Sequence, residues 1–121
     1  MTRDRAAAER AGRRAETLAA LLLRAKGYRI LDRNYRCPAG EIDLVVRRGR
    51  TIAFVEVKRR VTHEAALAAV TPRNRQRIER AALAWQARRL RSLDAQVRFD
   101  IVTLAGRFPC HHKDAWRPIA R

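Results

Sequence analysis

Two stretches in which apolar and polar residues alternate, Glu41–Arg48 and Thr51–Arg60, stand on either side of the dipeptide Gly49-Arg50. No other feature constrains the fold as much. Alternation of period two puts every second side chain on one face of a strand, and glycine first in a two-residue loop is the signature of a type II′ hairpin. Fixing the loop fixes the register: Arg48 faces Thr51, Val45 faces Phe54 and, continuing outward, Asp43 faces Glu56 and Glu41 faces Lys58. This predicts two carboxylates directly across from one another, with Cβ atoms about 5 Å apart, and Lys58 on the same face one strand step beyond Glu56.

Carboxylates are depleted in strands and costly to bury without a partner, yet Asp43 and Glu56 are flanked by Ile42, Leu44, Val55 and Val57. Two of them held face to face repel unless a cation lies between, and hard oxygen donors from one or two carboxylates plus water are what Mg²⁺ prefers. Lys58 strengthens this reading. Of 28 basic residues only Lys26, Lys58 and Lys113 are lysine, so a compact ammonium at this position suggests a chemical need that arginine does not meet. The competing arrangement is a cross-strand ion-pair network on an exposed sheet face, with Glu41 salt-bridged to Lys58.

The flanking segments supply the other elements. From Ala6 to Lys26, the residues Ala11, Ala15, Leu18, Ala19 and Leu22 follow helical spacing, and Gly27 is a natural stop. Tyr28–Leu31 reads as a short strand, Asn34–Gly40 as a loop, and Thr62–Val70 as a loop with a helical turn. Thr71-Pro72 is an N-cap followed by proline at the first helical position; it opens a helix to about Leu90 with an apolar face of Ile78, Ala81, Ala82 and Trp85. Arg73, Arg77, Arg80, Arg88 and Arg91 form a separate stripe on that helix. Val97–Leu104 is a further strand, and the tail from Gly106 carries no clear pattern. Trp85 is expected in the core, and Asp100 to be structural or a partner for an inward arginine, not a ligand.

With 121 residues, 47% of them hydrophobic, the chain has room for one core and is read as a single domain, 1–121. A net charge of +16 recruits polyanions. No apolar run approaches the roughly 20 residues a membrane-spanning helix needs, so the expectation is a cytoplasmic protein without a membrane partner. Cys37 and Cys110 are too few for a disulfide scaffold and are expected to be free thiols. Together with His111 and His112 they have zinc-type donors but no Cys-x-x-Cys pair, so no structural zinc is expected; His63 receives no role.

The pattern Gly40-Glu41-Ile42-Asp43-Leu44, a turn, then Phe54-Val55-Glu56-Val57-Lys58-Arg59-Arg60, with Gly12-x-x-x-Glu16 in the preceding helix, closely resembles the YraN-like family of bacterial proteins. Through that family it resembles the PD-(D/E)xK nuclease superfamily, from about Gly12 to the strand Arg98–Val102. The resemblance implies an α/β fold of the restriction-endonuclease-like type, a mixed central sheet flanked by helices. It makes Asp43, Glu56 and Lys58 catalytic residues, the two carboxylates metal ligands, Lys58 the water-positioning or charge-stabilising group, and Glu16 an accessory metal ligand. Ile42 stands where the superfamily's name has proline.

The activity so implied is Mg²⁺-dependent phosphodiester hydrolysis, with Mn²⁺ able to substitute, acting on DNA ahead of RNA, including branched or flapped structures. Arg59, Arg60, Arg73, Arg77 and Arg80 would hold the nucleic-acid backbone, positioning it without reading its sequence. About six such contacts would give a slope near −5 of log affinity against log salt. Junction cutting would favour a homodimer. Two other readings stand beside this one: a non-catalytic nucleic-acid-binding module retaining the fold, and a basic adaptor for an acidic protein or ribonucleoprotein.

Overall fold

The structure, a computed structural model, describes residues 2–89 and 95–119. In chain order its elements are α1 (Thr2–Ala25), β1 (Arg29–Cys37), β2 (Gly40–Arg48), β3 (Thr51–Arg60), α2 (His63–Ala68), α3 (Pro72–Arg89), β4 (Gln96–Ala105) and β5 (Phe108–Trp116). The strands form one sheet in sequence order, antiparallel throughout except for β3 beside β4, which run parallel. A parallel pair cannot be joined by a tight turn, and α2 and α3 lie in that crossover. The result is a mixed α/β sheet flanked by helices, compatible with a restriction-endonuclease-like fold.

Two apolar clusters sandwich the sheet. Ala15, Ala19, Ala20 and Leu23 of α1 cover Leu44, Val46, Ala53 and Val55 on one face. On the other, Ile78, Ala81, Ala82 and Trp85 of α3 cover Val45, Ile52, Phe54 and Phe99. Burial on both faces explains the nearly continuous apolar run through β3 and β4. Trp85 is core, 3% exposed, edge-on to Phe54.

The hairpin forms as predicted, with Gly49 taking the left-handed conformation (φ 61°) that a side chain would resist. Thr71 caps α3, its hydroxyl oxygen accepting from the Asn74 N–H at 3.2 Å while Asn74 Oδ1 accepts back from the Thr71 hydroxyl at 2.6 Å. Two expectations need correction. The short strand at Tyr28–Leu31 runs on as β1 to Cys37, into the segment read as the loop Asn34–Gly40, of which Pro38-Ala39 remains a turn and Gly40 opens β2; the register shifts once, between Ile30 and Asp32, and then holds across Asn34 despite its φ of 51°. The tail forms β5, whose pairing to β4 gives its polar residues backbone partners that local periodicity could not announce. The Leu90 end of the Arg-rich helix and Arg91 lie outside the described residues.

Asp100 is fully buried and structural, as expected. Arg98 donates to both of its oxygens at 2.8 Å, His111 Nε2 lies 2.7 Å from Oδ2, and the Asp114 N–H donates to Oδ1 at 3.0 Å. Burial alone would raise this carboxyl, but the hydrogen bonds from His111, Arg98 and Asp114 overcome it and hold it down at about 2.

Candidate active site

β2 and β3 keep the predicted register from Arg48↔Thr51 to Leu44↔Val55 and pair no further. The ladder expected to continue to Asp43↔Glu56 and Glu41↔Lys58 does not form; the strands part there instead. Leu44 packs into the α1-side cluster and Ile42 into the α3-side cluster, so face alternation slips across Asp43. Asp43 Oδ2 then accepts the Val57 N–H at 2.8 Å, satisfying with a side chain a donor that the ladder leaves free. Glu41 pairs with Arg36 at 3.4 Å, both side chains exposed, and Lys58 has no such partner among the described residues. The exposed ion-pair network is therefore not what forms.

Parting the strands opens a cavity of about 450 Å³ between the two helices. Glu16 and a wall of small residues come from α1, Asp43 from β2, Glu56, Lys58, Arg59 and Arg60 from β3, and Asn74, Arg77 and Ile78 from α3. The four predicted site residues, Glu16, Asp43, Glu56 and Lys58, thus line one space. Of the five predicted backbone-holding arginines, Arg59, Arg60 and Arg77 border it, whereas Arg73 and Arg80 lie exposed on α3 outside its lining.

The electrostatics are those of like charges brought together. Burial, the hydrogen bond to Glu56 and the charge of Glu56 push Asp43 up to about 8, against the lowering pull of the Val57 N–H and Lys58. Glu16 is raised too, first by burial and then by the charge of Asp43, with Asn34 and Asp43 as its hydrogen-bond partners. Carboxyls driven to share a proton are what results when like charges converge in a partly desolvated space. Among the described residues no group of three His, Cys, Asp or Glu side chains is gathered into a ready-made metal cage. The donors on offer are a carboxylate pair with a third carboxyl at its margin. That fits Mg²⁺, which is bound through one or two carboxylates and keeps several waters.

Sequence reasoning missed two asparagines. Asn34, assigned to a loop, reaches Glu16 from a left-handed position (φ 51°) within β1. Asn74 lines the cavity from the first turn of α3. The only available signal was the Thr71-x-x-Asn74 capping spacing, which places Asn74 on the helix but not at the cavity. The neighbouring Gly40 is a packing requirement: a Cβ there would lie 2.5 Å from the Arg77 carbonyl oxygen, so glycine lets β2 and α3 close together.

Comparison with known proteins agrees with the resemblance at family level. The profile described as "Uncharacterised protein family UPF0102" matches residues 15–104. A UPF0102 protein of Parvibaculum lavamentivorans is 55% identical over 113 residues, 93% of this chain and 85% of its own length. Others from Maricaulis maris (50% identical; 98% and 94% of the two chains) and Paramagnetospirillum magneticum (52%; 96% and 94%) match along nearly the whole chain.

Proposed function

This chain belongs to the uncharacterised protein family UPF0102, and from that starting point we propose that it is a Mg²⁺-dependent nuclease of the PD-(D/E)xK type that hydrolyses phosphodiester bonds in DNA, including branched or flapped structures. The observation that carries the reading is the convergence of Glu16, Asp43, Glu56 and Lys58 on one cavity bordered by Arg59, Arg60 and Arg77. A pair of half-buried carboxylates with one raised to about 8 is expensive to maintain, and such perturbation concentrates at functional sites.

Asp43 and Glu56 would hold the metal, with Glu16 as accessory ligand. When bound, a divalent ion of this kind neutralises the scissile phosphate and lowers the pKa of a coordinated water. The protein's own residues supply the rest. Asp43 is fixed in place by the Val57 N–H, so the carboxylate pair is preorganised. The Lys58 ammonium holds a compact positive charge beside the phosphate, where it aligns the attacking water and stabilises charge as the phosphorus–oxygen bond breaks. Arg59, Arg60 and Arg77 grip the flanking phosphates. Water adds to phosphorus, the leaving oxygen departs with a proton, and the products are a phosphomonoester and a hydroxyl end.

The test uses linear, nicked, flapped and four-way DNA with Mg²⁺, Mn²⁺ or a chelator, comparing wild type with Asp43→Asn and Lys58→Ala. Metal-dependent cleavage that falls by about 10² or more in both variants, with binding kept, supports the proposal. Binding without cleavage by the wild type replaces it with the non-catalytic binding module. Cleavage that persists equally in both variants belongs to a contaminant.

A further inference from the structure

Gly12 lies in the interior of α1, where glycine is the poorest choice short of proline. The usual reasons for tolerating it are absent. Its backbone is helical rather than left-handed, and a Cβ built on it would meet nothing within 4 Å. Gly40 provides the contrast: there a Cβ would run into the Arg77 carbonyl, so the fold itself demands glycine. At Gly12 the protein's own packing demands nothing, yet the open space beside it is the cavity that holds Asp43, Glu56 and Lys58.

We infer that Gly12 is a clearance residue, and that the space over it is occupied by one unpaired DNA strand passing between α1 and α3. This rests on the proposed nucleic-acid reading of the cavity and specifies the form of its ligand. Three observations beyond the glycine point to a single strand. Apart from Glu16 at its inner end, the α1 wall carries small side chains, Ala8, Ala11 and Ala15, so the helix backbone beside Gly12 can be approached closely by a sugar–phosphate chain. α3 supplies Arg77, and the exposed end of β3 supplies Arg59 and Arg60, for phosphates on that chain. The volume, about 450 Å³ and open to solvent on one side, is in the range of pockets that take one small-molecule-sized group, enough to seat a nucleotide or so of one strand between the walls.

The experiment replaces Gly12 by alanine and by leucine, both better helix formers, and measures thermal stability and affinity for a fluorescein-labelled oligo(dT) and for a blunt duplex of equal length at about 150 mM salt. The expected result is unchanged or higher Tm in both variants. Affinity for the single strand drops tenfold or more in Gly12→Leu and less in Gly12→Ala, while duplex affinity changes less than threefold. Wild-type affinity for oligo(dT) in a folded Gly12→Leu overturns the inference, as does an equal loss on both probes or no binding of the single strand by wild type. If the leucine variant does not fold, the same comparison on Gly12→Ala decides, with a threefold loss confined to the single strand as the threshold. Because the readout is binding, absence of cleavage in the preceding test would refute catalysis and leave this result standing.

Discussion

Asp43 has a titration that can be read out directly. Its folded pKa of about 8 lies above the ordinary 3.8, so the native state favours the protonated acid. The stabilisation that this proton gives is fully present below pH 3.8 and is lost as pH rises through 8. At about 1.4 kcal/mol per pH unit, the loss reaches an upper bound on the order of 4 kcal/mol at pH 7. Asp43→Asn keeps an oxygen for the Val57 N–H and has no charge to repel Glu56, so metal-free variant should melt above metal-free wild type at pH 7 and near it at pH 4. Added Mg²⁺ or Mn²⁺ should raise the melting temperature of wild type and leave the variant unmoved; a wild type indifferent to both ions would remove the metal from the proposal. Asp100 works with the opposite sign. Held at about 2, it contributes stability that is present above pH 3.8 and lost as pH falls toward 2. Asp100→Asn leaves the Arg98 guanidinium without its counter-ion beside a buried site and should cost about 3–5 kcal/mol in urea unfolding at pH 7.

At the scale of elements, the site depends on how closely α3 approaches β2. Gly40→Ala forces the Arg77 backbone away, because a Cβ cannot stand 2.5 Å from a carbonyl oxygen. We expect a loss of about 1–3 kcal/mol, typical of overpacking, together with weaker DNA binding as Arg77 and Asn74 withdraw from the cavity; urea midpoint and affinity measured on the same preparation check both. Legibility in the sequence follows the same division. The β2–β3 register was readable residue by residue because a two-residue loop and a period of two leave one solution, and both long helices were readable from their caps and spacing. The parting beyond Leu44↔Val55 was not, since it arises when a side chain, Asp43, takes over a backbone donor. Neither was β1 beyond Asn34, where turn-forming Asn, Pro and Gly outweighed a pairing that only β2 could reveal. Asp43, Glu56 and Lys58 were therefore legible from local pattern and Glu16 from the family resemblance, whereas the places of Asn34 and Asn74 and the shape of the site, a cavity between two helices, depended on tertiary contacts that no local window contains.

The whole molecule carries +16, and that field alone would attract any polyanion. Affinity by itself therefore cannot distinguish a cavity that grips DNA from a surface that merely collects it; the salt dependence of site variants can. Each phosphate neutralised contributes about 0.9 to the slope of log affinity against log salt on duplex and about 0.7 on a single strand. About six contacts would give wild type a slope near −5 on duplex and near −4 on a single strand. Arg77→Ala should flatten the single-strand slope by about 0.7, and Arg59→Ala, Arg60→Ala and Arg77→Ala combined by about 2. Arg24→Ala, in the last turn of α1 and outside the cavity lining, removes the same unit of net charge and should leave the slope unchanged within error. Titrations between about 50 and 200 mM salt resolve the difference, since a slope change of 2 across that fourfold range is more than tenfold in affinity. Equal flattening by Arg24→Ala and Arg77→Ala would mean that the field, and not the cavity, does the binding, and the assignment of Arg59, Arg60 and Arg77 to the backbone would then fail.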